Sequence, residues 1–356
     1  MIVGVVLFFG GGPNHDRLGF RYWKDGNAFR PYIVGGAAGR FCGFWNSVVR
    51  AGYSVIMSPE LITIASGEAE APRRNTPKAT KRFIYRLVFF YVFSVLVIGC
   101  IVSSSDPRLL NAVSSGVANA AASPFVIGIQ NAGIPILNHI INAAILTSAW
   151  SAANSFLFAG SRSLYSLSLQ GKAPKVFRYC NRKGVPYVAL LAVSAIGCLG
   201  FLNASASSAN VFTWFTNLST IAGFIAWICI LITYLRFRRA MAFNNILDTL
   251  PFKTAFQPYT TWVALVLLVI ITITNGFTVF VGGSFTGADF VAAYITLPIF
   301  VVLYLGHKIY YRRWRWFTPT SEVDVTSGLS ECEAYERSCP ERVPRNALEK
   351  VWMWIA

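Results

Sequence analysis

Charge is what this chain of 356 residues has least of. Asp, Glu, Lys and Arg make up 13% of it, about half the 25% typical of a soluble domain. Apolar residues reach 54%, and the mean hydropathy is +0.51, which argues against a soluble fold of this length. Acidic residues are scarcer than basic ones, 15 against 31 Lys and Arg, for a net charge of +16. Such an excess suits a nucleic-acid binder, but the bases gather in short loops between apolar runs. That distribution is the orientation signal of a polytopic membrane protein and excludes a nucleic-acid partner. None of the seven cysteines forms a C-x-x-C pair, so they are read as unpaired small residues without a zinc or disulfide framework. Nothing marks a nucleotide site, a cofactor or covalent chemistry, so no enzyme is expected. A ring-forming charge set or filter-like run, as an ion channel needs, is missing as well.

What is present is a series of long apolar runs. Seven segments are long enough to span a bilayer at about 20 residues each: 41–67, 84–105, 135–161, 186–203, 209–235, 260–281 and 287–307. The third is entered through Pro135 and the last is interrupted by Pro298. The opening MIVGVVLFF (1–9) is less than half a span, with neither a basic n-region nor an A-x-A-like cleavage site. It reads as a partial transmembrane helix, the end of one whose beginning is absent. The expected organisation is this partial helix, an extracellular loop over 10–40, a transmembrane domain over 41–307 and a hydrophilic tail over 308–356. Of the 31 Lys and Arg, 24 fall in 68–86, 162–184, 236–253 and the tail. That side is predicted to be cytoplasmic, the tail with it. Arg17, Arg21, Lys24, Arg30 and Arg40 on the predicted outer side run against the rule.

The stretch YSVIMSPELITIASGEAEAPRRNTPKATKR, from Tyr53 to Arg82, carries the strongest functional signal. Proline cannot continue the backbone ladder, so Pro59 is expected to break or kink the first span. Within a bilayer, an interrupted backbone and a carboxylate are tolerated only against protein or a polar cavity. Glu60 follows the proline directly. Low dielectric favours its neutral form, so such a group can take up and release a proton; a Glu that caps the resumed helix is the plainer alternative. Secondary transporters build midplane sites from such broken spans.

These residues resemble a known pattern. GGGPNHDRLGFRYWKD (10–25), SPELITIASGEAEAPRRNTPKA (58–79), LVFFYVFSVLVIGCIV with SSDPRL (87–109), AWSAANSFLFAGSRSLYSLSLQGKAPKVF (149–177), NRKGVPY (181–187), GFIAWICI and LRFRRA (223–240) and LEKVWMWIA (348–356) stand in family order. Together they resemble a fungal amino acid permease of the amino acid–polyamine–organocation superfamily, from the end of its fifth span to the C-terminus. The resemblance implies an all-α polytopic protein of the LeuT-type fold, here lacking the first four spans. About seven full transmembrane helices and the partial one remain, that is, the second inverted repeat and two extra helices.

The implied activity is amino acid transport by alternating access, a proton-coupled symport at the plasma membrane, with an amino acid, protons and the lipid bilayer as partners. Backbone carbonyls near Ser54, Val55, Ile56, Met57 and Ser58 are implied to receive the substrate's ammonium. Glu60 is implied in substrate binding and proton coupling, and Phe156 as an aromatic wall. Ser58 and Pro59 depart from the family's more usual glycine and small residue. The tail is implied to meet cytosolic trafficking partners, with VWMWIA resting on the membrane or the transporter. A non-transporting remnant, or a regulatory or sensor membrane protein, is the alternative reading.

Overall fold

The chain is seen here in a computed structural model, which describes residues 1–12, 15–24, 28–56, 58–115, 123–204, 208–250, 252–283, 285–312, 314–340 and 344–349. Among these there are thirteen α-helices and no strand. They are α1 (Ile2–Phe8), α2 (Gly36–Val55), α3 (Ser58–Ser66), α4 (Pro72–Ile101), α5 (Pro107–Ser115), α6 (Pro124–Asn131) and α7 (Pro135–Leu169). Then follow α8 (Tyr187–Gly197), α9 (Ser208–Phe243), α10 (Tyr259–Thr274), α11 (Gly287–Tyr294), α12 (Thr296–Tyr310) and α13 (Leu329–Ser338).

Among the described residues, five stretches are long and apolar enough to cross a membrane: Gly36–Ser66, Pro72–Ile101, Ile136–Leu169, Trp214–Phe243 and Tyr259–Val279. The pair α11 and α12 makes a sixth if its 47° bend is counted within one span. The expected span at 186–203 is a shorter apolar helix, Tyr187–Leu202. Gly197 and Gly200 fall there, and glycine weakens a helix interior; the α-helix gives way to a 3-10 turn from Cys198.

Prolines place both interruptions, each about one turn upstream of the ring. The pyrrolidine ring has no N–H and collides with the carbonyl four residues back. Four residues before Pro59 is Val55, where α2 ends; four before Pro298 is Tyr294, where α11 ends. Ile56 is extended at ψ 144°, and α3 begins at Ser58 with Pro59 in its first turn, where a missing N–H costs nothing. The first interruption falls within Ser54–Ser58, the segment expected at the break, and the second lies just upstream of Pro298. The first interruption does not fold the span back: α2 and α3 still read as one 31-residue stretch.

The chain divides into two compact units, one of Met1–Arg30 with Tyr85–Thr213, the other of Pro31–Ile84 with Trp214–Ala356. In the first, Leu7 of α1 packs with Ile101, Val102 and Ile127. The Trp23 indole donates to the Gly99 carbonyl at 2.8 Å. The long helix α7 stops at Gly171, whose φ of +73° suits only glycine without strain. Lys172 N–H reaches the Leu167 carbonyl and Gly171 N–H that of Ser168, a closing pattern of helix C-termini. Arg178 adds a bond from Nε to the same Ser168 carbonyl at 2.6 Å. In NRKGVPY, the Asn181 side chain accepts from the backbone N–H of Lys183 and Val185, turning the chain into α8.

A polar clamp joins α5 and α6 in this unit. Asp106 accepts from Asn131 Nδ2 at 3.2 Å and from the Arg108 backbone N–H at 3.0 Å, and Arg108 also donates to Asn131. Burial pushes the Asp106 carboxyl up, but the bonds from Asn131 and Arg108 and the Arg108 charge outweigh it and hold it below its ordinary value. A carboxyl lowered by folding stabilises the fold above its unfolded-state value and loses that contribution as pH falls through the lowered one. Acidification below about pH 4 is therefore expected to lower the thermal midpoint of the wild type more than that of Asp106→Asn. The variant should already be the less stable of the two at neutral pH.

In the second unit, the end of the apolar region meets the tail. The Lys308 ammonium on α12 donates to the Arg315 carbonyl at 3.0 Å and lies 4.2 Å from the Trp316 ring centroid. Arg73, at the start of α4, pairs with Glu333 of α13 at 3.4 Å. The terminal VWMWIA lies outside the described residues.

Candidate functional site

The site begins with the way α2 and α3 lie on α9 within the second unit. Val49, Ile56, Phe224 and Ile271 form a buried cluster, with Trp45, Val48, Trp227 and Leu268 packed around it. Two glycines permit the approach. A Cβ on Gly52 would lie 2.7 Å from Phe224 Cε1 and closer still to Cζ, and one on Gly223 would overlap the Ile56 side chain. Small residues at such points let membrane helices pack closely. The Trp45 indole donates to Thr274 Oγ1 at 2.9 Å, tying α2 to α10.

The expected site residues divide between side chain and backbone. Ser54 and Val55 form the last turn of α2, exposed and half-buried respectively. Both stand at the interruption, where α2 ends. The Ile56 side chain is buried in the cluster, 5% exposed, so only its backbone is left to face a ligand. Met57 lies outside the described residues. Ser58 starts α3, and Glu60 is in its first turn.

Glu60 is held by a residue that sequence reasoning passed over. The Trp227 indole N–H donates to its Oε1. Its other oxygen, Oε2, is closed off from solvent and has no hydrogen-bond partner among the described residues. Leaving a buried acceptor unsatisfied costs about 1–3 kcal/mol, and more for a charge. One oxygen is therefore fixed and the other is ready for a donor. The signal for Trp227 was available: an indole N–H in hydrocarbon needs an acceptor, and Glu60 and Asp289 are the acids within the apolar segments.

Phe156, on α7, is 44% exposed and belongs to the other compact unit. Arg50 is exposed and donates from Nε to Asn46 Oδ1 at 3.3 Å, one turn back on α2. Among the described residues, no three His, Cys, Asp or Glu side chains cluster as metal ligands would.

The sequence that forms these helices matches a known set of proteins. The family model described as amino acid permease covers residues 1–319. The chain belongs to the amino acid permease family. This permease is 64% identical to a "probable proline-specific permease put4" of Schizosaccharomyces pombe over 356 residues, all of this chain and 64% of that protein. It is 58% identical to a proline-specific permease of Emericella nidulans over 355 residues, 100% of this chain and 64% of the relative. With a proline-specific permease of Saccharomyces cerevisiae it shares 52% over 346 residues, 97% of this chain and 55% of the relative. The permease chain thus spans less than two thirds of the length of these relatives. No solved structure matches it.

Proposed function

We propose that this chain serves amino acid transport across a membrane, with proline as the substrate and a proton as the coupled ion. The observation that carries the reading is the Glu60 carboxylate in the first turn after a helix interruption, its Oε2 buried and without a partner among the described residues. A substrate ammonium or a proton supplies what that oxygen lacks, and both are cargo of a symporter. The backbone carbonyls of Val55 and Ile56, with Ser58, are proposed to complete the acceptor set. The proline assignment is supported by the relatives named above, each a proline permease by name.

The membrane is proposed to be the plasma membrane, with the tail on the cytoplasmic side. The crowding of Lys and Arg into 68–86, 162–184, 236–253 and the tail supports that orientation. Tail contacts with trafficking proteins are part of the same proposal.

Uptake of labelled amino acids by yeast lacking its own proline permeases tests the reading. Cells expressing the chain are expected to accumulate proline above the vector control, more at acid than at neutral pH. Unlabelled proline should compete at least tenfold better than alanine, lysine or glutamate. Equal competition by all four would sink the proline assignment, and accumulation no greater than the control would sink transport.

A further inference from the structure

Beyond Tyr310, the last residue of α12, the chain runs on as YRRWRWF (311–317). Two cations pin this segment by its backbone. Lys308, only 8% exposed, donates to the Arg315 carbonyl, with the Trp316 ring over its ammonium. Arg236 of α9 donates to the Thr318 carbonyl, and its guanidinium lies 5.1 Å from the Phe317 ring centroid. The backbone is held while the aromatic side chains stay in the open. Tyr310 is 80% exposed and Trp314 71%, and Trp316 and Phe317 are exposed as well. Arg312 and Arg315 stand exposed among them. Arg315 meets Glu322 at 3.4 Å, but water reaches both partners, and such pairs contribute little. No Asp or Glu occurs between Asp289 and Glu322.

We infer that Tyr310–Phe317 is a binding site for anionic phospholipid, with the rings in the membrane interface and Arg312 and Arg315 on the headgroup. Position selects a lipid surface over a soluble partner. α12 is apolar and closes the bent pair counted as a sixth crossing, and aromatic residues at the end of such a helix fall at headgroup depth. Charge selects the lipid. Guanidinium groups pair with phosphate through parallel hydrogen bonds, and basic residues beside a membrane favour net negative headgroups. Phosphatidylcholine brings its own cation and gains less. Because Lys308 and Arg236 fix the backbone during folding, little ordering is left for the lipid to impose. The site does not depend on what the permease carries, so it stands apart from the transport reading.

The test uses the purified full chain in phosphatidylcholine nanodiscs that carry a photoreactive phosphatidylserine, with the crosslinked peptides mapped by mass spectrometry. Label is expected within Tyr310–Phe317. Unlabelled phosphatidylserine should suppress it about tenfold better than added phosphatidylcholine. Joint replacement Arg312→Gln and Arg315→Gln should cut the label by about tenfold. Both side chains are exposed, so folding is not at stake. The same pair changed to lysine keeps the charge and is expected to stay within about threefold of the wild type. Soluble glycerophosphoserine, the headgroup without its chains, should not compete. Competition by it as strong as by the lipid would make this a site for free anions and overturn the inference. Label confined to other peptides would leave the patch to a protein partner and overturn it too, as would glutamine variants that label like the wild type.

Discussion

Exchanging Glu60 for glutamine is expected to cut proline uptake per surface-resident molecule by tenfold to about a hundredfold. A hydrogen bond to a charged group contributes about 1.5–3 kcal/mol, and each 1.4 kcal/mol is a factor of ten. Glutamine keeps an oxygen for the Trp227 indole but puts an NH2 group where Oε2 was. Two donors then face each other across the site, and the side chain can no longer take up a proton. Initial rates of labelled proline uptake at acid and neutral pH, normalised to surface protein, decide the matter. Undiminished uptake at both pH values would remove Glu60 from the mechanism.

The second large effect is steric. Gly52→Ala drives a methyl into the Phe224 ring, and overpacking of this kind costs about 1–3 kcal/mol, a large share of a stability of roughly 5–15 kcal/mol. Surface abundance is expected to fall severalfold, and Phe224→Leu in the same molecule should restore much of it by making room. Gly223→Ala should behave alike, with Ile56→Ala as its partner change, because the contact there is with Ile56. The pairing of rescues is the informative result. If Phe224→Leu rescued Gly223→Ala as well as it rescued Gly52→Ala, the contacts between α2 and α9 would not be those described.

The fold class was legible because hydropathy reports burial in lipid directly: the long helices α4, α7, α9 and α10 overlap the apolar runs at 84–105, 135–161, 209–235 and 260–281. Local backbone chemistry was legible only to within a turn. Pro59 and Pro298 announce interruptions, but the lost hydrogen bond belongs to the residue four places back, and so Val55 and Tyr294 are the ends. The weakness of 186–203 as a span was written in Gly197 and Gly200, which hydropathy counts as nearly neutral. Trp227 was hidden for another reason. It lies 167 residues from Glu60, and no periodicity along one chain links an indole on α9 to a carboxylate on α3. Only the demand that every buried donor find an acceptor connects them. The polar clamp of Asp106, Arg108 and Asn131 escaped in the same way.

Both interruptions of the second unit owe their position to an imide nitrogen that never had a hydrogen to give. Such a hinge is covalent in origin. Neighbouring helices, lipid or cargo can open or close the angle across it, but none of them can zip the ladder shut. A ribosome therefore hands the membrane a joint that is already made.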